Sequence, residues 1–214
     1  MRTLLTRDWS GILLAATAYA ALSLAHNGYV FGLADHAIHL PFLQQAAGLS
    51  TAKDDPLLAA AHHHHSLFWI LQGPGARLFG LSHWTAIAHA ITLVATGASI
   101  YLLSLQVTGN KVAACLSLAL LAPSQFALGG ARTLDPLLLN RGAALPIELL
   151  AISALATGRT RSCFLLLGFA ANIHVPSAAA LSAALFSLHW LSIPSYNGAQ
   201  SRRKALLAPL FCPL

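Results

Sequence analysis

Residues 84–107 read WTAIAHAITLVATGASIYLLSLQV, an apolar run interrupted by one ionisable side chain, His89. A helix rises about 1.5 Å per residue, so a run of this length covers the roughly 30 Å hydrocarbon core of a bilayer. Further runs occupy Trp9 to His26, Lys111 to Leu128, Arg141 to Thr157 and Ser162 to Leu191, the last broken by "NIHVPS". Backbone in lipid must satisfy its own hydrogen bonds, which leaves helices or closed barrels. Barrel strands alternate polar and apolar residues, and these runs do not. The expectation is an all-α, polytopic transmembrane helical bundle of about five to six spans.

Composition agrees. Hydrophobic residues make up 57% of the chain and charged ones 8%, against about 25% charged in a soluble domain. The net charge of +6 does not point to nucleic acid, because the basic residues come in ones and twos rather than as a stripe interleaved with aromatics. They read instead as topology signals, since cytoplasmic loops are enriched in Lys and Arg. Three cysteines, Cys115, Cys163 and Cys212, lie far apart and form no C-x-x-C motif.

The segment Ser66 to Gly80 decides the topology. It is apolar but contains Gly73, Pro74, Gly75 and Arg77, so it reads as a helix lying at the interface rather than a span. The inside set is then Arg2, Arg7, Lys111, Arg159, Arg161, Arg202, Arg203 and Lys204, against Lys53, Arg77, Arg132 and Arg141 outside. Turning Ser66 to Gly80 into a span leaves the larger set outside, so the first arrangement is preferred. The chain is thus read as one transmembrane domain, 1–214, with a cytoplasmic N-terminus in a bacterial inner membrane. Residues 27–83 form an extracytoplasmic loop with interfacial helices, and 84–191 the bundle. Residues 192–214 form a cytoplasmic loop ("SRRK") and the start of another apolar segment, which suggests a truncated chain. The first run serves as a signal-anchor or as a signal cleaved after Ala25; both export the loop.

Acidic residues do little to set topology, yet Asp35, Asp54, Asp55 and Asp135 all fall outside under this scheme. Glu148 lies in the fourth span and Asp8 faces inward. An outward-facing acidic site is the natural reading. Asp35, in "GLADHAIHLPFL", is four residues before His39, so the two share a face of a surface helix. A carboxylate among apolar neighbours is suited to proton abstraction near neutral pH; the plainer reading is a helix N-cap. Asp54 and Asp55 before Pro56 form a usual helix start. Alternatively, one of them joins Asp35 in holding a divalent cation through oxygen ligands. The tract His62 to His65 reads as a loose metal binder, because neighbouring histidines on a helix point in different directions.

The run Ser162 to Asn172 is too short to cross a bilayer, which puts His174 and Pro176 at membrane depth or near its outer edge. Ionisable groups at such breaks are functional candidates by default, with a hydrogen-bonded core histidine as the alternative. Arg141 and Glu148 sit two turns apart on one helical face, and Arg132 with Arg141 supplies outward cations for a phosphate. His26, His83, His89 and His189, at or near span ends, read as interfacial or packing residues and are assigned no role.

An outer loop with "DHAIHLPFLQQAAG", then "DDPLL", then an aromatic interfacial helix ending in "LFG" and running into a span, resembles the GT-C superfamily of polytopic glycosyltransferases. The short turn "VTGNK" and the later His174 add to the likeness. The resemblance implies a polyprenyl-phosphate-linked sugar donor and a first-loop acid acting as base or metal ligand, a role that maps onto Asp35. The expected enzyme uses Asp35 and His39 catalytically and binds substrate through Asp55, Arg132, Arg141 and His174. Its partners are membrane lipids and the lipid-linked donor; its cofactor is not fixed, a divalent cation being one option. The competing readings are a transporter or permease fragment, or a noncatalytic integral membrane protein.

Overall fold

The computed structural model describes residues 9–49, 56–59, 66–125 and 133–192. Among them the chain is helical, without strands: α1 (Trp9–Asn27), α2 (His36–Ala46), α3 (Pro56–Ala59), α4 (Leu67–Phe79), α5 (Leu81–Thr108), α6 (Lys111–Leu121), α7 (Asn140–Ala156), α8 (Thr160–Ala171) and α9 (Val175–Ser192). These match the apolar runs closely. The main difference is α6, which stops at Leu121 although the run continues to Leu128, because Pro123 has no N–H to extend the ladder.

α5 is the hub, packing against α1, α4, α6 and α7. Ile12, Tyr19 and Ala20 of α1 meet Leu93, Ile100 and Tyr101 of α5 and Ala114 and Leu118 of α6 in one core. The approach of α1 to α5 is close because of Gly97: a Cβ there would stand 2.7 Å from Tyr19 Cδ1 and 3.2 Å from the Ala16 Cα. A second core joins α2 and α4 to Leu138, Ala144, Ala170, Ile173 and Ala178. A third sits between α7, α8 and α9 around Ala151, Cys163, Leu167 and Leu185.

Two helices, α1 and α5, are long and apolar enough to cross a bilayer. The others are shorter or interrupted. α6 and α8 have 11 and 12 residues, or about 16–18 Å of rise, and α7 carries Arg141, Pro146 and Glu148. Large apolar side chains point outward along the bundle, among them Leu13, Leu14, Ile91, Leu120, Leu165 and Phe169.

The helices define two ends. At one, the α5 to α6 turn is made by Gly109, whose φ of +67° suits a residue without Cβ. Asn110 follows and caps α6 by accepting from the Val112 N–H at 2.8 Å. The α7 to α8 turn lies at the same end, where the Gln106 amide donates to the Ser153 carbonyl at 2.9 Å. Lys111, Arg159 and Arg161 belong to this end. The other holds Asp35, Asp135, Arg141 and the break between α8 and α9. There α4 docks on the break: Leu67 N–H donates to the Asn172 carbonyl at 2.8 Å and Ser66 Oγ to the Ile173 carbonyl at 2.9 Å. Those bonds satisfy carbonyls that the end of α8 would otherwise leave bare.

Candidate functional site

The acidic end is built from two irregular segments, 28–35 and 133–139, laid against each other. Val30 N–H donates to the Pro136 carbonyl at 2.6 Å. Asn27 ties α1 to the end of α6, its amide donating to the Ala122 carbonyl at 2.9 Å and its Oδ1 accepting from the Ser124 N–H at 2.8 Å. His36 is the central clasp. It is fully buried, accepts from the Gly32 N–H on Nδ1 at 3.2 Å and therefore donates through Nε2 to the Leu138 carbonyl at 3.0 Å. This is the neutral imidazole, and burial lowers its pKa from the ordinary 6.5.

Asp35 occupies the N-cap position of α2 but its side chain makes no capping bond. It turns toward Arg141 instead, Oδ2 lying 3.9 Å from the guanidinium, with the carboxylate half exposed. The apolar setting expected around this acid is thus replaced by water and a cation. The preceding residue, Ala34, has φ +50°, a left-handed conformation that costs a non-glycine residue about 1–2 kcal/mol. Such strain concentrates at functional sites. His39, one turn on, stacks on Trp69 of α4 with ring centroids 5.2 Å apart, so its ring is engaged with that helix.

Arg141 is held by Asp135, which the sequence placed among the outward acids without a partner. Nε donates to one carboxylate oxygen at 2.7 Å and Nη2 to the other at 2.6 Å. This bidentate fork is among the strong charge-assisted pairs. It leaves Arg141 part-exposed, with Nη2 also facing Asp35.

Behind the pair lies a cavity of about 170 Å³ lined by Arg141, Asp135, Glu148, Ser177, His89 and Thr92, with leucines completing the wall. His89 is buried well inside α5 beside Tyr29, ring centroids 5.4 Å apart. Its burial agrees with a packing role, and because α5 begins at Leu81 rather than Trp84 it lies more than two turns inside the helix, where it also lines the cavity. Glu148 is buried and accepts from Ser177 Oγ at 2.5 Å; that oxygen is 2.7 Å from His174 Nδ1. His174 therefore reaches the cavity through Ser177. Glu148 and Arg141 do not pair with one another; each finds its partner in a different segment.

The expected site residues divide accordingly. Asp35 and Arg141 come together, His174 joins through Ser177, and His39 is engaged with Trp69. Asp54, Asp55, Arg132 and His62 to His65 lie outside the described residues. Among the described residues no group of three or more His, Cys, Asp or Glu side chains is placed to hold a metal ion. Asp35 and Asp135 share the Arg141 guanidinium, and Glu148 bonds to Ser177. No family model, curated protein or solved structure matches the chain.

Proposed function

We propose that the chain is part of a membrane-embedded glycosyltransferase acting at the extracytoplasmic face, with a polyprenyl-phosphate-linked sugar as donor. The observation that carries the reading is the convergence of Asp35 and Arg141, from segments far apart in sequence, beside a leucine-walled cavity into which Asp135, Arg141, Glu148 and Ser177 bring polar groups. Two carboxylates, Asp35 and Asp135, flank the Arg141 guanidinium, and a third, Glu148, lines the cavity beyond them. An excess of acceptors matches a polyhydroxylated group, whose hydroxyls donate, better than a bare anion deep in the cavity. The cavity is smaller than the roughly 300–1,000 Å³ of typical small-molecule pockets. In this reading it takes the sugar alone, and the donor's phosphate and lipid remain at the mouth near Arg141. Asp35, half exposed there, deprotonates the acceptor hydroxyl. The outward apolar side chains of α1, α5, α6 and α8 face lipid, and the shorter helices complete a bundle of about five to six membrane segments.

The test is sugar transfer from a radiolabelled polyprenyl-phosphate donor by vesicles containing the chain. Asp35→Asn removes the base while preserving size; transfer is expected to fall about 100-fold or more with membrane insertion unchanged. Full activity in the Asn variant would end the assignment.

A further inference from the structure

Glu148 is set apart from the other acids of the site. It is 7% exposed, and among the described residues its hydrogen-bond partner is the Ser177 hydroxyl, with neither Arg141 ion pair reaching it. A buried carboxylate without a cation is costly, and the neutral acid is far cheaper there. Ser177 provides the connection to a second titratable group, since its oxygen lies between Glu148 Oε1 at 2.5 Å and His174 Nδ1 at 2.7 Å. Both distances suit proton transfer along a hydrogen-bonded chain. The order differs from a hydrolytic triad: the serine stands between acid and imidazole, where it passes protons rather than being activated as a nucleophile.

We propose that Glu148, Ser177 and His174 form a proton relay that loads and unloads the cavity carboxyl from the break between α8 and α9. His174 sits at that break, part-exposed, on the end of the bundle that carries Asp35. In the loading step an imidazolium at His174 gives its Nδ1 proton to Ser177 Oγ while the serine's own proton passes to Glu148 Oε1. The imidazole is left neutral, the carboxylate becomes a neutral acid and the hydroxyl is regenerated. The other titratable groups facing the cavity are Arg141 and Asp135 at the outer end of α7 and His89 from α5. α8 contributes Cys163, which packs lower down against Ala151.

The relay is independent of the sugar-transfer reading, because it is read without any donor. The full chain in detergent is subjected to a pH jump and the carboxylic-acid C=O stretch is followed by time-resolved infrared spectroscopy. The expected result is a pH-dependent band that Glu148→Gln removes, whose appearance Ser177→Ala slows about 100-fold and Ser177→Thr restores. His174→Gln, which leaves the Ser177 to Glu148 bond in place, is expected to slow it to a similar degree. A band unaffected by Glu148→Gln would overturn the proposal. So would wild-type kinetics in the His174→Gln protein, which also decides the matter if Ser177→Ala does not fold.

Discussion

The two ends of the bundle are joined by different means. At the end bearing Lys111 and Arg159 the turns are short and closed locally, Gly109 N–H onto the Leu105 carbonyl at 2.8 Å and Asn110 capping the helix it begins, with Gln106 to Ser153 as the polar link between helices. At the acidic end, segments distant in sequence are held by polar contacts, His36 to Leu138, Val30 to Pro136 and Asp35 with Asp135 around Arg141. A local turn only has to reverse the chain. A polar end assembled from separate segments can enclose a cavity, and this one does. The comparison suggests that the charged and hydrogen-bonding groups of the acidic end serve the cavity as well as the fold.

The sharpest way to break that comparison is to remove its central cation. Asp135 is 11% exposed and Arg141 40% at their side chains, so deleting the guanidinium leaves a nearly buried carboxylate alone. Losing one partner of a buried pair costs about 3–5 kcal/mol, and the exposure of Arg141 brings the expectation for Arg141→Leu to about 3 kcal/mol. Thermal unfolding in detergent should show it as a lowered midpoint. The double variant Arg141→Leu with Asp135→Leu should recover part of the loss, since no charge is then stranded. An unchanged midpoint in the single variant would mean the acidic end is held by something else.

His36 sharpens the same contrast with a smaller effect. His36→Ala strands the Leu138 carbonyl and the Gly32 N–H and opens a void, at a cost of about 2–3 kcal/mol. The clasp should also respond to pH. The folded imidazole binds its proton less readily than the unfolded one, so native His36 carries fewer protons across the interval between the two pKa values. Its contribution is whole above the ordinary value of 6.5 and is lost as pH falls through the lower folded value. Subtracting the pH dependence of a His36→Gln variant from that of wild type isolates this histidine from the others. A difference that stays flat on acidification below pH 6.5 would show that the clasp tolerates the imidazolium.

The contrast between ends also explains what sequence could and could not reveal. The helical shafts follow from apolar runs, and α1, α5 and α7 lie within a few residues of them. The interruption at His174 was readable because Ser162 to Asn172 is too short to span, and the separation of α4 from α5 falls at Gly80, the expected end of the Ser66 to Gly80 segment. Asp35 and Arg141 were visible as rare charges in an oily chain, but their pairing was not, since nothing local in either segment encodes the other. Asp135 reads as one of the outward acids, but its pairing with Arg141 was not visible, and Ser177 was missed because a serine on an apolar helix carries no signal of its own. Glu148 was legible as costly, yet its partner sits on α9, beyond a break whose geometry periodicity does not describe. His89 went unassigned because the cavity it lines is completed by Asp135, Arg141 and Ser177, from segments distant in sequence.

The mildest test addresses the local end. Asn110 Oδ1 accepts from the backbone N–H groups of Val112 and Ala113, bonds that need no distant segment. Replacing it with Ala removes the cap and should cost about 1 kcal/mol, again read from the thermal midpoint. The cavity end should be untouched, so the pH-dependent difference assigned to His36 should persist at full size in Asn110→Ala. Effects at sites well apart with no shared partner are expected to add within about 0.5 kcal/mol. If the cap variant instead abolished the His36 signal, the ends would be mechanically coupled through α5 and α6. The division of the bundle into a locally made end and a tertiary one would then have to be given up.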